Sequence, residues 1–148
     1  MSSTVYVEAQ MLIRKPVEDV FEAFVNPEVT TNFWFTKSTG KLEEGATITW
    51  EWEMYNVKTE VKVNKLVPNQ LIQTIWGDPS NNVDYEFKPM EKGTLVVIKS
   101  YGYQQTGEDL LKTISDNTGG FTTVLDGCKA YLEHRIKLNL IGDKFPQK

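Results

Sequence analysis

Chemistry that needs a dedicated nucleophile, base or metal has few residues to draw on in this chain of 148 residues, which holds one histidine, His134, and one cysteine, Cys128. His134 falls on the outer side of a helical stretch and Cys128 on its apolar side, so neither a His/Cys metal centre nor a Ser-His-Asp or Cys-His triad is expected. Nothing near Cys128 in the sequence would lower the pKa of its thiol, which reads as a small buried hydrophobe. The carboxylate pair Glu51 and Glu53 shares a polar strand face with Thr47 and Thr49, opposite Lys58, Glu60 and Lys62. That pattern suits cross-strand pairs on a wet surface better than acid/base work. No glycine-rich phosphate loop or dinucleotide fingerprint occurs. No cofactor, no metal and no catalytic residue is therefore expected.

The aromatic residues offer a different chemistry, that of an apolar binding surface. Trp34, Trp50, Trp52, Trp76, Tyr85, Phe87 and Tyr131 are of the types that either fill a core or line a cavity for a small apolar or aromatic ligand. Tyr85 and Tyr131 carry hydroxyls that need partners when buried, and so belong at the polar end of any pocket. The elements that must position these rings can be read from periodicity. Residues 119–138 read as one long helix whose apolar arc gathers Phe121, Val124, Leu125, Cys128, Tyr131, Leu132 and Ile136. Such a rod, about 30 Å long, needs a concave apolar partner. Val124, Gly127 and Cys128 lie where the arc would face a ligand; at Gly127 the missing side chain either widens a cavity or admits close packing. Arg135 falls inside the arc near the helix end, as a snorkelling or ion-paired cation or as an anchor for an acidic ligand group.

The partner surface comes from strands. Residues 4–13 alternate as a half-buried strand, and Pro16 then opens a short helix over 17–24. Asn26-Pro27 breaks it before a second helical turn at 28–33. From residue 37 the period is two, with strands expected at 37–42, 46–54, 59–63, 71–76, 83–87 and 94–101 between turn signals. Residues 102–118 are the least regular, with a helical turn over 108–114 and a capping run at 115–118. A sheet with one apolar face and one long amphipathic helix must bury each other. The fold class is thus α+β: a curved antiparallel sheet of about seven strands around a C-terminal helix, in one domain spanning 1–148.

Composition narrows the partners. With 40% hydrophobic and 24% charged residues the chain is an ordinary globular one. A net charge of −4 and the lack of a basic stripe weigh against nucleic acid and anionic membrane. The first residues have no basic and apolar regions of a signal peptide, no uncharged run reaches the length of a membrane span, and one cysteine makes no internal disulfide. The expected location is the cytoplasm.

Four segments carry a resemblance over nearly the whole chain: Pro16-Val-Glu-Asp-Val-Phe-Glu-Ala-Phe with Asn26-Pro27-Glu28, residues 71–76, Gly93-Thr94 through Gly102, and Gly120-Phe121 to Glu133. In this order they resemble the helix-grip superfamily of START domains, polyketide cyclases and the major birch-pollen allergen. Within it they are most similar to homologues of the activator of the ninety-kilodalton heat-shock protein (Hsp) ATPase. The resemblance implies a cavity between sheet and helix. It also puts Phe121 where the family usually has Trp, and Ser100, a further pocket position, where many members have His. The eukaryotic co-chaperones carry a separate N-terminal chaperone-binding domain, for which 148 residues leave no room, so ATPase stimulation is not carried over.

Three functional readings follow. The first is binding of a small apolar or aromatic ligand between sheet and helix. The second is a chaperone accessory that uses an exposed patch such as the turn from Asn32 to Phe35. The third is a cyclase, dehydratase or hydrolase using Tyr85, Tyr131 and Arg135.

Overall fold

A computed structural model describes residues 5–77 and 79–146. Thr4, where the first expected strand began, and Asp78 of the expected breaker lie outside the described residues. The elements run β1 (Tyr6–Ile13), α1 (Val17–Val25), α2 (Pro27–Thr30), β2 (Lys37–Ser38), β3 (Thr47–Trp52), a 3-10 turn (Glu53–Tyr55), β4 (Val57–Val67), β5 (Leu71–Gly77), β6 (Ser80–Met90), β7 (Gly93–Tyr101), α3 (Gly107–His134) and α4 (Leu140–Lys144). The strands form one curved antiparallel sheet in the order β1-β7-β6-β5-β4-β3-β2, gripping α3. This is the helix-grip arrangement.

Period-two alternation decides what faces the helix. Across the sheet, Val63, Thr74, Val83, Ser100 and Val7 lie in register as one row, and all are buried. A second row runs Ile48, Val61, Trp76 and Asn81, and ends the concave face with an amide rather than a hydrocarbon. Glycine at position 93 is required at the sheet's other end: its φ is +149°, and a Cβ there would collide with the backbone of Ile13 and Arg14. The close approach lets β7 pair with β1 along its whole length, from Thr94 opposite Ile13 to Tyr101 opposite Tyr6.

Several boundaries differ from those read in the sequence. Strand 46–54 stops at Trp52 because the chain turns through a 3-10 segment closed by Asn56 in the left-handed region, which leaves Met54 46% exposed. Strand 37–42 shrinks to Lys37–Ser38, since the Ser38 hydroxyl donates to the Gly40 carbonyl and folds the chain into a local turn. Strand 59–63 lengthens to Val57–Val67, carrying a register shift between Val63 and Lys65. The turn from Asn32 to Phe35 is no exposed patch: Phe33, Trp34 and Phe35 are all core residues.

The largest correction concerns α3. It starts at Gly107, not at 119, and runs straight through Gly119 and Gly120. Each glycine costs about 1 kcal/mol relative to Ala, but a helix already nucleated over Glu108–Thr118 needs only propagation across them. It ends at His134, where Arg135 takes a φ of 56° and its N–H donates to the Tyr131 carbonyl over 2.8 Å, a left-handed terminator. Ile136 therefore leaves the apolar arc and is 49% exposed.

One polar clamp ties the C-terminal end of α3 to β1. The Lys129 ammonium donates to the Leu12 carbonyl over 2.8 Å and pairs with Glu133 over 2.6 Å. Glu133 in turn accepts the Arg14 backbone N–H over 2.8 Å. Burial pushes the Glu133 carboxyl up, but the hydrogen bonds from Arg14 and Lys129 and the nearby positive charge outweigh it and hold its pKa below the usual carboxylate range. Its stabilisation is thus complete above the unfolded carboxyl's pKa, about 4.3, and is lost as pH falls through the depressed folded value. Glu133→Gln should lower stability by about 1–3 kcal/mol at neutral pH, measured by urea unfolding. The difference from the parent should shrink below about pH 4.

Candidate functional site

The concave face and α3 do not close on each other everywhere. Near the middle of α3 lies a cavity of about 250 Å³, walled by Trp34, Trp52, Tyr55, Val57 and Trp76 from the sheet side, by Asp116, Asn117, Gly120, Phe121 and Val124 from α3, and by Ile141 and Phe145 from the C-terminal segment. Its origin is local. A Cβ at Gly120 would meet nothing within 4 Å, so the helix presents bare backbone where the sheet presents indoles. The rings brace one another: Trp34 lies 4.9 Å from Trp50, 6.0 Å from Trp76 and 6.4 Å from Phe121 between ring centroids, and Phe35 stacks on Trp50 at 4.5 Å. These contacts leave the rings no freedom to collapse inward.

A second, more polar compartment of about 200 Å³ adjoins the first and shares Trp76, Asn117 and Phe121 with it. Its other walls include Asn81, Gln105 and Thr113. Behind it runs a chain of hydrogen bonds: the Asn117 amide donates to the Tyr103 hydroxyl over 3.1 Å, the Tyr103 hydroxyl to Ser100 Oγ over 2.8 Å, and the Asn81 amide to Ser100 Oγ over 2.5 Å.

Of the residues singled out in the sequence, Trp34, Trp52, Trp76 and Val124 line the aromatic cavity. Trp50 and Tyr85 sit behind it at 1% exposure, around a crevice with Phe24, Leu42 and Ile72. Burial raises the pKa of Tyr85, although Trp76 and Thr74 are close enough to favour its ionised form. Among the described residues neither the Tyr85 hydroxyl nor Trp76 Nε1 has a partner at hydrogen-bonding geometry. Phe87 packs in the core against Phe21 and Phe24. Ser100 is the buried hub of the hydrogen-bond chain.

Gly127 is close-packed, since a Cβ there would come within 3.2 Å of Phe33 Cβ. Cys128 is fully buried, with its thiol pKa pushed up by burial and by Glu133, and is inert. Tyr131 is half-buried and Arg135 exposed, the guanidinium 5.4 Å from the centre of the Tyr131 ring. The helix terminates before Arg135, so its extrapolated place in the apolar arc does not exist, and neither residue lines the two compartments.

Tyr55, Asn81, Tyr103 and Asn117 were not singled out in the sequence. Asn81 was visible by counting back in twos from Tyr85 and Val83. Asn117 stands four before Phe121 and seven before Val124, on the same helical face, and was hidden only by ending the helix at the glycine pair. Tyr55 has no such signal.

A scan of family models decides the chain's relationships: that for Activator of Hsp90 ATPase homolog 1-like protein matches residues 14–133. The chain belongs to this family. Among solved structures, the Staphylococcus saprophyticus protein SSP2350 is 30% identical, with a TM-score of 0.82 over 90% of this chain and 96% of that one. The Aha1 dimer from Colwellia psychrerythraea is 17% identical, with a TM-score of 0.74 over 88% and 98%. DynU16, a protein of the dynemicin biosynthetic locus, is 15% identical, with a TM-score of 0.81 over 89% of this chain and 48% of that one. At these lower identities the likeness is one of fold. No curated protein matches the sequence. Among the described residues no helix is long and apolar enough to cross a membrane, and no three His, Cys, Asp or Glu side chains converge as a metal site would need.

The C-terminal segment borders the cavity through Ile141 of α4 and Phe145 just beyond it. The Tyr55 hydroxyl is shared between the carbonyls of Ile141 and Phe145, at 3.0 and 2.8 Å, and burial raises its pKa. Left-handed residues Arg135 and Asn139 stand before α4. Tyr55→Phe should remove about 1 kcal/mol of hydrogen bonding and speed amide exchange of residues 140–145 by about fivefold. Exchange in the central sheet should be unchanged; hydrogen-exchange mass spectrometry reads both.

Proposed function

We propose that this chain binds a small, largely apolar ligand with an aromatic body in the cavity between the sheet and α3, acting as a single domain in the cytoplasm. The observation that carries the reading is the cavity beside Gly120, enclosed by Trp34, Trp52, Trp76 and Phe121. Taken with its polar neighbour it falls within the range of small-molecule pockets, about 300–1,000 Å³. Membership of a helix-grip family agrees with it. Trp34, Trp52, Trp76 and Val124 act as ligand-contacting walls; Trp50 and Tyr85 hold those walls from behind, while Phe87 packs deeper in the core. The family description names activation of a chaperone ATPase; burial of Phe33, Trp34 and Phe35 argues against that turn as a chaperone contact, and the cavity supports the ligand-binding reading.

Gly120→Leu tests this directly. The position has open space for a side chain, and leucine favours a helix over glycine by nearly 1 kcal/mol, so the variant should fold at least as well as the parent. A panel of naphthols, flavonoids, sterols and fatty acids should raise the parent's melting temperature in a concentration-dependent way and quench its tryptophan fluorescence. Gly120→Leu should abolish both effects for the same compounds. Undiminished affinity in the variant would place the ligand elsewhere.

A further inference from the structure

Asn117, on α3, lines both compartments, and its amide nitrogen is engaged by the Tyr103 hydroxyl. Tyr103 donates its single proton to Ser100 Oγ, so the phenol oxygen is left as an acceptor, and Asn117 Nδ2 fills it. Ser100 is itself fixed at 0% exposure by its place on β7 and by the second donor, Asn81. The consequence is an oriented carbonyl: Asn117 Oδ1 points away from Tyr103 and receives no hydrogen bond from any described residue. The adjacent Asp116 also borders the aromatic compartment, with its Oδ2 turned to Lys112 at 3.0 Å. Asn117 thus offers an acceptor at the junction and Asp116 one beside the aromatic compartment, while Trp76 Nε1, though unpartnered among the described residues, is fully buried. No Lys, Arg or His is among the residues lining either compartment, and the Lys112 ammonium at the rim is already paired with Asp116, so a carboxylate brought there has no free cation to offset its desolvation.

We infer that the junction at Asn117 recognises a hydrogen-bond donor, a hydroxyl or an amine, carried on an otherwise aromatic ligand, and discriminates against carboxylates. The inference rests on the cavity being the binding site. The ligand's ring lies among Trp34, Trp52 and Trp76, and its donor reaches Asn117 Oδ1. Tyr103 is a positioning residue, holding the amide so that oxygen, not nitrogen, faces the ligand.

Calorimetric titration of the full chain with three ligands of one shape separates the terms: 2-naphthol, its methyl ether 2-methoxynaphthalene, and 2-naphthoate. Naphthol should bind about tenfold tighter than the ether, the equivalent of one hydrogen bond, and at least tenfold tighter than the carboxylate. Asn117→Leu, close in size, should reduce naphthol to the affinity of the ether and leave the ether unchanged. Tyr103→Phe should shrink the naphthol-to-ether ratio several-fold at constant ether affinity, which loss of folding would not do. A fourth ligand, 2-naphthylmethylammonium, distinguishes the two donor sources. Tighter binding than naphthol, lost in Asp116→Asn, assigns an amine; weaker binding, with naphthol insensitive to Asp116→Asn, assigns a hydroxyl. Equal affinity for naphthol and its ether, or preference for naphthoate, overturns the inference and leaves the cavity standing. Absence of binding by all four overturns the cavity with it.

Discussion

A concave wall of indoles is not matched where the helix opposite offers only backbone, at Gly120, and the rest of this structure depends on that mismatch. Trp34, Trp52 and Trp76 are large and braced through Trp76, while the helix opposite them carries Gly120. Closer approach of α3 would be stopped by its flanking residues: Phe121 already touches Trp34 and Trp76, and Gly127 already meets Phe33. The approach of α3 is therefore limited on either side of the gap, by Trp76 of the sheet and by Phe33 and Trp34 of the segment between α2 and β2. The space is a consequence of good packing next to it, which is why it can persist in a core whose interior is otherwise close to crystal density.

The two halves of α3 accordingly have different duties. From Phe121 to Leu132 it is a core helix, with Val124, Leu125 and Cys128 at 1% exposure or less and with the Lys129–Glu133 clamp fixing its end to β1. From Gly107 to Thr118 it is mostly wet, and Leu111 is 71% exposed. This outer half contributes little to the core but brings Asp116 and Asn117 to the rim of the cavity. The polar chain through Tyr103 and Ser100 is what connects that rim to the sheet. Polar residues at the mouth and aromatic residues in the body are the usual division of labour in a small-molecule site.

Much of the fold was legible because alternation survives wherever one face of a sheet is wet. Val7, Ala9, Ile48, Trp50, Val61, Val63, Val83, Tyr85 and Phe87 all point where their spacing said they would. Part of the candidate site was legible for the same reason, as with Trp52 and Trp76 on the inward face of their strands. What escaped was tertiary. Glycines at 119 and 120 look like a helix start, because local propensity cannot register that a long helix has been nucleated upstream. Arg135 looks like a helix residue facing the core, because nothing in a 3.6-residue period announces a left-handed terminator without glycine. Tyr55 acquires its role only when residues from the far end of the chain arrive beside it.

The clamp at the end of α3 has a further effect at the margin of the sheet. β1 pairs with β7 alone and is thus an edge strand, eight residues long, and such edges are templates for pairing with another chain. The Lys129 ammonium takes the Leu12 carbonyl, and the Glu133 carboxylate takes the Arg14 N–H just beyond the strand. One outward acceptor and the donor that follows it are withdrawn from any incoming strand, and charge is placed in its path. At the opposite margin β2 spans only two residues, too few to seed a ladder. Strand addition is thereby disfavoured at the C-terminal end of β1 and at β2, the two margins where the sheet would otherwise extend itself.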